Sequence, residues 1–227
     1  MEIFLNKNGN VADWSQSDLA ALRNKGKLIF NTYIYPILIR SGYVPSKTFI
    51  VEYGSGLGTI LDAAYKLGYM CAGIDISPTM LSYSRIVSPS IESLYCLDKN
   101  NTTSLPDKCA DVVFTRAVLQ HIRKLSDMRK AIKEMCRLLK SGGILKIHFR
   151  SMDILPFEHS VGFTFNHELF SVSTAKPFIM KHTHWTGVPL SIDNLDNFLL
   201  ENGVMLFGLE RDIVNGDRFI WATARKK

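Results

Sequence analysis

The sequence predicts an α/β fold built on a doubly wound, mostly parallel sheet, and three observations carry that prediction. Phe49-Ile50-Val51 is a short apolar run of the kind buried on both faces of a parallel sheet; Gly54, Gly56 and Gly58 follow it, then a helical stretch from Thr59 to Leu67. A second apolar run, Tyr69 to Ile74, ends at Asp75 and leads into Ser77-Pro78, an N-cap serine with proline in the first turn. Two later strand-like runs, Asp111 to Thr115 and Ile144 to Arg150, flank a helix carrying Met128, Ile132, Met135, Leu138 and Leu139 on one face. Strands alternating with helices in this way lie parallel.

Composition narrows the class. A chain of 227 residues is long enough for one domain with a sizeable core. Its hydrophobic content of 46% and charged content of 21% are ordinary for a globular protein. The longest apolar candidate for a membrane span, near Ile34 to Ile39, is interrupted by Pro36, and Met1 to Asn6 is too short and too acidic for a signal peptide. The expectation is a cytoplasmic protein with no membrane span. Cys71, Cys96, Cys109 and Cys136 fit no metal spacing, so free thiols and no metal are expected. A net charge of +6 would suit an acidic partner, but apart from Arg225-Lys226-Lys227 the basic residues are spread along the chain. That distribution disfavours nucleic acid.

Taken in order, the chain begins with an adapting segment over residues 1–12. Asp13 or Ser15 then caps a helix with Leu19, Leu22, Leu28 and Ile29 at near-helical spacing, which Gly26 divides or bends. A second helix runs from Ile29 to Ile39 and stops at Ser41-Gly42. The glycine turn has the spacing Gly-x-Gly-x-Gly, whereas a dinucleotide fingerprint would need glycine where Thr59 stands. Glu52, two residues before the first glycine, suits a cationic ligand group and would repel a pyrophosphate. Asp75, ending the next strand, can take both hydroxyls of a ribose.

The third strand is expected over Ile91 to Leu97, with Asp98 at its end. The fourth runs into Arg116, at the carboxyl end where ligands sit in open α/β sheets. Ser126 is expected to cap the following helix and Gly142-Gly143 to end it. In the fifth strand Leu145, Ile147 and Phe149 alternate with Lys146, His148 and Arg150, an unusual polar row for a central strand. His148 is the first candidate for a base that deprotonates a substrate, because imidazole titrates near neutral pH.

Residues 151–190 are too long and too rich in aromatic residues and histidine for a plain crossover, and read as an insertion that recognises the substrate. It holds His182 and His184, whose spacing without a nearby acid is weak evidence for a metal. Ser191 caps a helix through Leu200, and Val204 to Glu210 pairs with Arg218 to Ala224 through Asn215-Gly216-Asp217.

Glu52-Tyr-Gly-Ser-Gly-Leu-Gly58 and Gly73-Ile-Asp-Ile-Ser-Pro-Thr-Met-Leu81 resemble the class I S-adenosylmethionine-dependent methyltransferases. So do Leu105-Pro106 with Ala110 to Phe114, Val118 to Ile122, and Leu138-Leu-Lys-Ser-Gly-Gly-Ile-Leu145, with Ser141 where that family has proline. The resemblance covers about residues 45–150. It implies a Rossmann-like, seven-stranded sheet whose last strand is antiparallel. It also implies an N-terminal helical lid over residues 1–44 and a cofactor-binding domain over 45–227. Glu52, Tyr53, Gly54, Gly56 and Gly58 would hold the methionine portion of S-adenosylmethionine, and Asp75 the ribose. Ile76 and Met80 would contact the cofactor, Met80 at the adenine ring, and Asp98 or Asn101 would accept the adenine amino group, while Arg116 would meet the cofactor through its backbone or the substrate through its guanidinium.

Among the lid residues Trp14, Arg23, Lys27, Tyr33 and Tyr35, Tyr33 is the substrate candidate, joined by Arg150, His184 and Trp185. The expected reaction is methyl transfer to an oxygen or nitrogen of a small molecule, by a monomer or homodimer. The alternatives are an RNA or protein methyltransferase and a non-catalytic module that binds S-adenosylmethionine. Thr59 and Glu52 disfavour a nicotinamide-dependent oxidoreductase.

Overall fold

The computed structural model describes residues 14–153, 187–214 and 217–227. The described residues fall into two compact units divided after Leu105.

The first unit opens with α1 (Gln16–Ile29). Ser15 caps it: the Ser15 hydroxyl accepts from the Asp18 backbone and the Asp18 carboxylate accepts from the Ser15 backbone. This reciprocal box satisfies two of the helix's orphan donors. Gly26 does not divide α1, which continues through it to Ile29. Leu28, expected on the apolar face, is 66% exposed. A π-turn over Phe30–Ile34 joins α1 to α2 (Tyr35–Arg40). It ends just before Pro36, whose ring would clash with the carbonyl four residues back in an unbroken α-helix; the wider turn relieves that clash. β1 (Phe49–Tyr53), α3 (Thr59–Lys66), β2 (Met70–Asp75), α4 (Pro78–Val87) and β3 (Leu94–Cys96) complete the unit. β1 pairs with β2 in parallel from Phe49 opposite Met70 to Tyr53 opposite Ile74, and β2 pairs with β3 in parallel. β3 is shorter than expected, because Ile91 donates to Ser88 O and closes a turn there.

The second unit contains β4 (Ala110–Thr115), a 3₁₀ turn (Leu119–His121), α5 (Leu125–Leu138), β5 (Leu139–Arg150), α6 (Ile192–Leu200), β6 (Val204–Val214) and β7 (Asp217–Lys226). The N-cap of α5 is Lys124 rather than Ser126. The helix gives way directly to β5, so Gly142-Gly143 lies inside the strand as a bulge. Gly142 takes φ +78°, and a side chain on Gly143 would come within 3.0 Å of the Asp111 carbonyl.

β4 and β5 are parallel; β7 enters antiparallel between β5 and β6. The seven strands make a mixed, mostly parallel α/β sheet of Rossmann-like type. The core lies in the apolar strands, where Ile50, Val51, Val112, Val113, Leu145 and Phe149 are fully buried. Each such side chain contributes roughly 1.5–3 kcal/mol through the area it removes from water.

Candidate functional site

The glycine turn of the first unit is held open by its own backbone. Gly54 and Ser55 both donate to Ile74 O, at 2.7 and 2.8 Å, so the end of β1 stays stitched to the end of β2. Gly54, Gly56 and Gly58 take φ of +78°, +52° and +71°, the left-handed region that favours glycine. Gly58 is the N-cap of α3, and its N–H closes the turn onto Ser55 O at 2.8 Å. Asp75, at the carboxyl end of β2, accepts from Gly56 N through Oδ2 at 2.8 Å and from Ser77 N through Oδ1 at 2.9 Å. Each carboxylate oxygen keeps a second lone pair for a ligand hydroxyl.

Around this turn, Glu52 is buried at the end of β1, with Tyr53 buried beside it. Burial and then the Glu52 carboxylate push the Cys71 thiol up to about 12. Ile76 is 66% exposed, a large apolar side chain left at the surface next to Asp75. The Met80 methyl reaches to 3.6 Å from where a Cβ on Gly56 would stand. Asp98 spends its carboxylate on its own loop: Oδ1 accepts from Asn100 N and Thr102 N, and Oδ2 from Thr102 Oγ1. The Thr102 backbone N–H heads the causes that hold the Asp98 carboxyl below its ordinary range. Asn101, at the tip of that loop, has φ +62°.

The second unit gathers a different chemistry. Register places His148 of β5 opposite Trp221 of β7, and Trp221 opposite Glu210 of β6. The polar row of β5 is buried, with Lys146, His148 and Arg150 at 1, 1 and 3% exposure. Two pairs reach diagonally across β7: Lys146 Nζ lies 2.6 Å from Glu210 Oε1, and His148 Nε2 lies 3.3 Å from Asp212 Oδ2. The His148 ring stacks on Phe219 at 4.7 Å between centroids and tilts against Trp221 at the same distance. Both ring nitrogens of His148 are buried and neither makes a hydrogen bond of good geometry among the described residues, the Nε2–Asp212 approach being an ion-pair contact. Burial lowers the His148 pKa, Arg116 adds to that, and Asp212 opposes it. Burial pushes Asp212 up, but His148, Arg116 and the Trp221 indole together hold it below its ordinary value. Just after β4, Ala117 sits at φ +57°, a left-handed non-glycine residue of the kind that clusters at functional sites.

A family model described as "Methyltransferase domain" matches residues 51–147, from β1 into β5. Residues 51–147, which hold the glycine turn and Asp75, are thus similar to a methyltransferase domain. A curated relative, the ajmaline N-methyltransferase of Rauvolfia serpentina, is 30% identical over 118 residues, 49% of this chain and 40% of that enzyme. The chain spans less than half of that relative's length. Among solved structures, the magnesium protoporphyrin IX methyltransferase of Synechocystis PCC 6803 with bound S-adenosylhomocysteine superposes with a TM-score of 0.63 at 15% identity, covering 99% of this chain and 97% of that one. A Methanosarcina mazei S-adenosylmethionine-dependent methyltransferase gives 0.60 at 17% identity, over 83% and 96%.

The Synechocystis enzyme was also solved with bound S-adenosylmethionine. The residues present fit it: left-handed glycines leave room for a ligand against the backbone, and two acids, Glu52 and Asp75, end adjacent strands. Of the lid candidates, Trp14 is buried and packs with Leu19 and Val87, and Arg23 donates to Val87 O at 2.7 Å. Tyr33 lies partly exposed on the π-turn, Tyr35 packs on Phe30, and Lys27 is exposed. His184 and Trp185 lie outside the described residues.

Arg150, a substrate candidate by sequence, donates from its guanidinium to the Gly187 carbonyl. Gly187 in turn donates to Gln120 O at 2.9 Å, and Val188 to Ile122 O at 3.0 Å, so the chain returning to the sheet is zipped onto the 3₁₀ turn. A Cβ on Gly187 would stand 2.6 Å from the Gln120 carbonyl carbon and closer to its oxygen. Gly187→Ala is therefore expected to lower the unfolding free energy by about 1–3 kcal/mol, the usual cost of overpacking. Urea denaturation read by circular dichroism checks this.

Sequence reasoning missed Gly26, Gly187, Asp212 and Trp221. The alternation of Glu210 and Asp212 along β6 was the signal that could have found the partners of Lys146 and His148.

Proposed function

We propose that the protein transfers a methyl group from S-adenosylmethionine to an oxygen or nitrogen of a small-molecule acceptor. The observation that carries this reading is the glycine turn, whose Gly56 amide is locked to Asp75 beside the buried Glu52. That arrangement offers carboxylates where the cofactor has hydroxyls and a cationic amino-acid end, and no cradle for a pyrophosphate. The cofactor supplies an electrophilic methyl group, so the chain's residues chiefly orient, exclude water and move a proton.

In this reading Glu52, Tyr53 and the turn of Gly54, Gly56 and Gly58 hold the methionine portion. Asp75 accepts the ribose hydroxyls, and Ile76 and Met80 give the adenine an apolar surface. Asp98 or Asn101 accepts the adenine amino group, and Arg116 contributes positive charge. Tyr33, Arg150, His184 and Trp185 are assigned to the acceptor, Arg150 by fixing the returning chain. His148 takes the acceptor's proton on Nδ1 while Nε2–H faces Asp212, which sets the tautomer. Being buried and lowered in pKa, His148 is a neutral base at pH 7.

A small-molecule acceptor agrees with the substrates named for the relatives, an alkaloid and a porphyrin. Among the described residues no helix is long and apolar enough to cross a membrane. We place the protein in the cytoplasm as a monomer or homodimer.

Calorimetric titration with S-adenosylhomocysteine and, in parallel, NADH tests the reading. Micromolar binding of the first and none of the second is expected. An NADH-only result, or no binding of either ligand, would overturn it.

A further inference from the structure

The first helix touches the glycine turn in a way that the cofactor reading does not require. α1 crosses the start of α3 so closely that a Cβ on Gly26 would stand 2.5 Å from the Thr59 carbonyl carbon and 2.7 Å from its Cβ, and closer still to its carbonyl oxygen. Two of those three atoms are backbone, which cannot swing aside as a flexible side chain can. Thr59 is the first residue of α3 and follows Gly58, the left-handed N-cap that closes the turn onto Ser55.

A second contact reaches the turn itself. Leu57, between Gly56 and Gly58, packs on the cluster of Trp14, Leu19 and Val87, together with Leu22 and Tyr83. A third fixes the far side: Arg23 Nε donates to Val87 O at 2.7 Å, placing a cation at the carboxyl end of α4. α1 therefore grips the turn at Leu57, the helix after it at Thr59, and α4, whose Ser77 cap lies two residues from Asp75.

We infer that Gly26 is a positioning residue for the cofactor turn: its missing side chain lets α1 clamp Thr59 and so fixes the Gly56 amide against Asp75. On this view α1 belongs to the turn's scaffold. The inference rests on the reading of that turn as the S-adenosylmethionine site.

Helix propensity supplies the contrast. In a helix interior alanine is favoured over glycine, so a glycine with no packing role would gain stability on Gly26→Ala. Here the added methyl must push α1 off Thr59. The experiment uses the full chain and measures the dissociation constant for S-adenosylhomocysteine by calorimetry, together with the amide shift of Gly56 by NMR. Gly26→Ala should raise the dissociation constant at least tenfold and move the Gly56 amide, whose hydrogen bond to Asp75 reports the turn. Lys25→Ala, one position back and exposed, should change neither.

Arg23→Gln keeps the crossing but cuts the tether to Val87, and should raise the dissociation constant threefold or more even if Gly26→Ala does not fold. Binding by Gly26→Ala within twofold of wild type, or an unmoved Gly56 amide, overturns the inference. So does unaltered binding by Arg23→Gln. Failure of the wild type itself to bind S-adenosylhomocysteine would sink the cofactor reading instead, and the two failures are thereby told apart.

Discussion

Asp75→Ala is expected to weaken S-adenosylhomocysteine binding by about 10- to 150-fold, the range for losing hydrogen bonds of about 1.5–3 kcal/mol to a charged acceptor. Two effects act in the same direction. The ribose hydroxyls lose their acceptor, and the Gly56 and Ser77 amides lose the carboxylate that fixes them at 2.8 and 2.9 Å. Asp75→Asn separates these. An amide keeps the shape but turns an NH₂ group toward one of the two backbone donors, so it should recover only part of the affinity. Calorimetry on the three proteins checks both, and an Asp75→Ala protein that binds as tightly as wild type would show that the ribose is held elsewhere.

The second large effect belongs to His148. With an acceptor in hand, His148→Asn should cut the methyl-transfer rate by about 10²- to 10⁴-fold, the usual contribution of a positioned general base. Cofactor affinity should remain unchanged. The pH dependence follows from the direction of the shift. Burial holds the folded His148 below its ordinary value of 6.5, so the acid limb of the wild-type rate profile should lie below pH 6.5 and be absent in the variant.

Stability carries the same sign. The unfolded chain takes up the proton near 6.5 and the folded one does not, so this contribution is intact above pH 6.5 and shrinks as pH falls. It shrinks by about 1.4 kcal/mol per pH unit until the folded group titrates. Asp212, depressed in the folded state, contributes in the same sense at lower pH. Urea titrations between pH 5 and 8 should show that slope between about 5 and 6.5 and a flat region above. A wild type equally stable across the range would mean that His148 titrates in the folded protein as it does in the unfolded chain.

The two candidate regions, the glycine turn and the polar row of β5, were not equally legible in the sequence. The glycine turn was readable because its causes are local. Left-handed backbone at Gly54, Gly56 and Gly58 demands glycine, and a carboxylate at the end of the next strand is one step away in the pattern. The alternation of Lys146, His148 and Arg150 was equally plain, but its partners were not. Glu210 and Asp212 come more than sixty residues later, and only the entry of β7 between β5 and β6 brings them across.

Gly26 and Gly187 were opaque for a related reason. Both are defined by what a missing Cβ would strike, Thr59 in one case and Gln120 in the other, and nothing in their neighbouring residues announces that. Ser126 misled because a good capping residue stood one turn position inside the helix start. Gly142-Gly143 misled because a bulge inside a strand and a helix stop use the same residue type.

The position of β7 bears on how the chain is made. β5 and β6 do not pair with each other; each pairs with β7, which follows both in the chain. Until it emerges, both present open hydrogen-bonding edges, and closing the gap from β5 to β7 requires contacts between residues some seventy positions apart. Late, non-local pairing of this kind slows folding and leaves edges exposed to other nascent chains. Expression yield should therefore respond strongly to substitutions in β7.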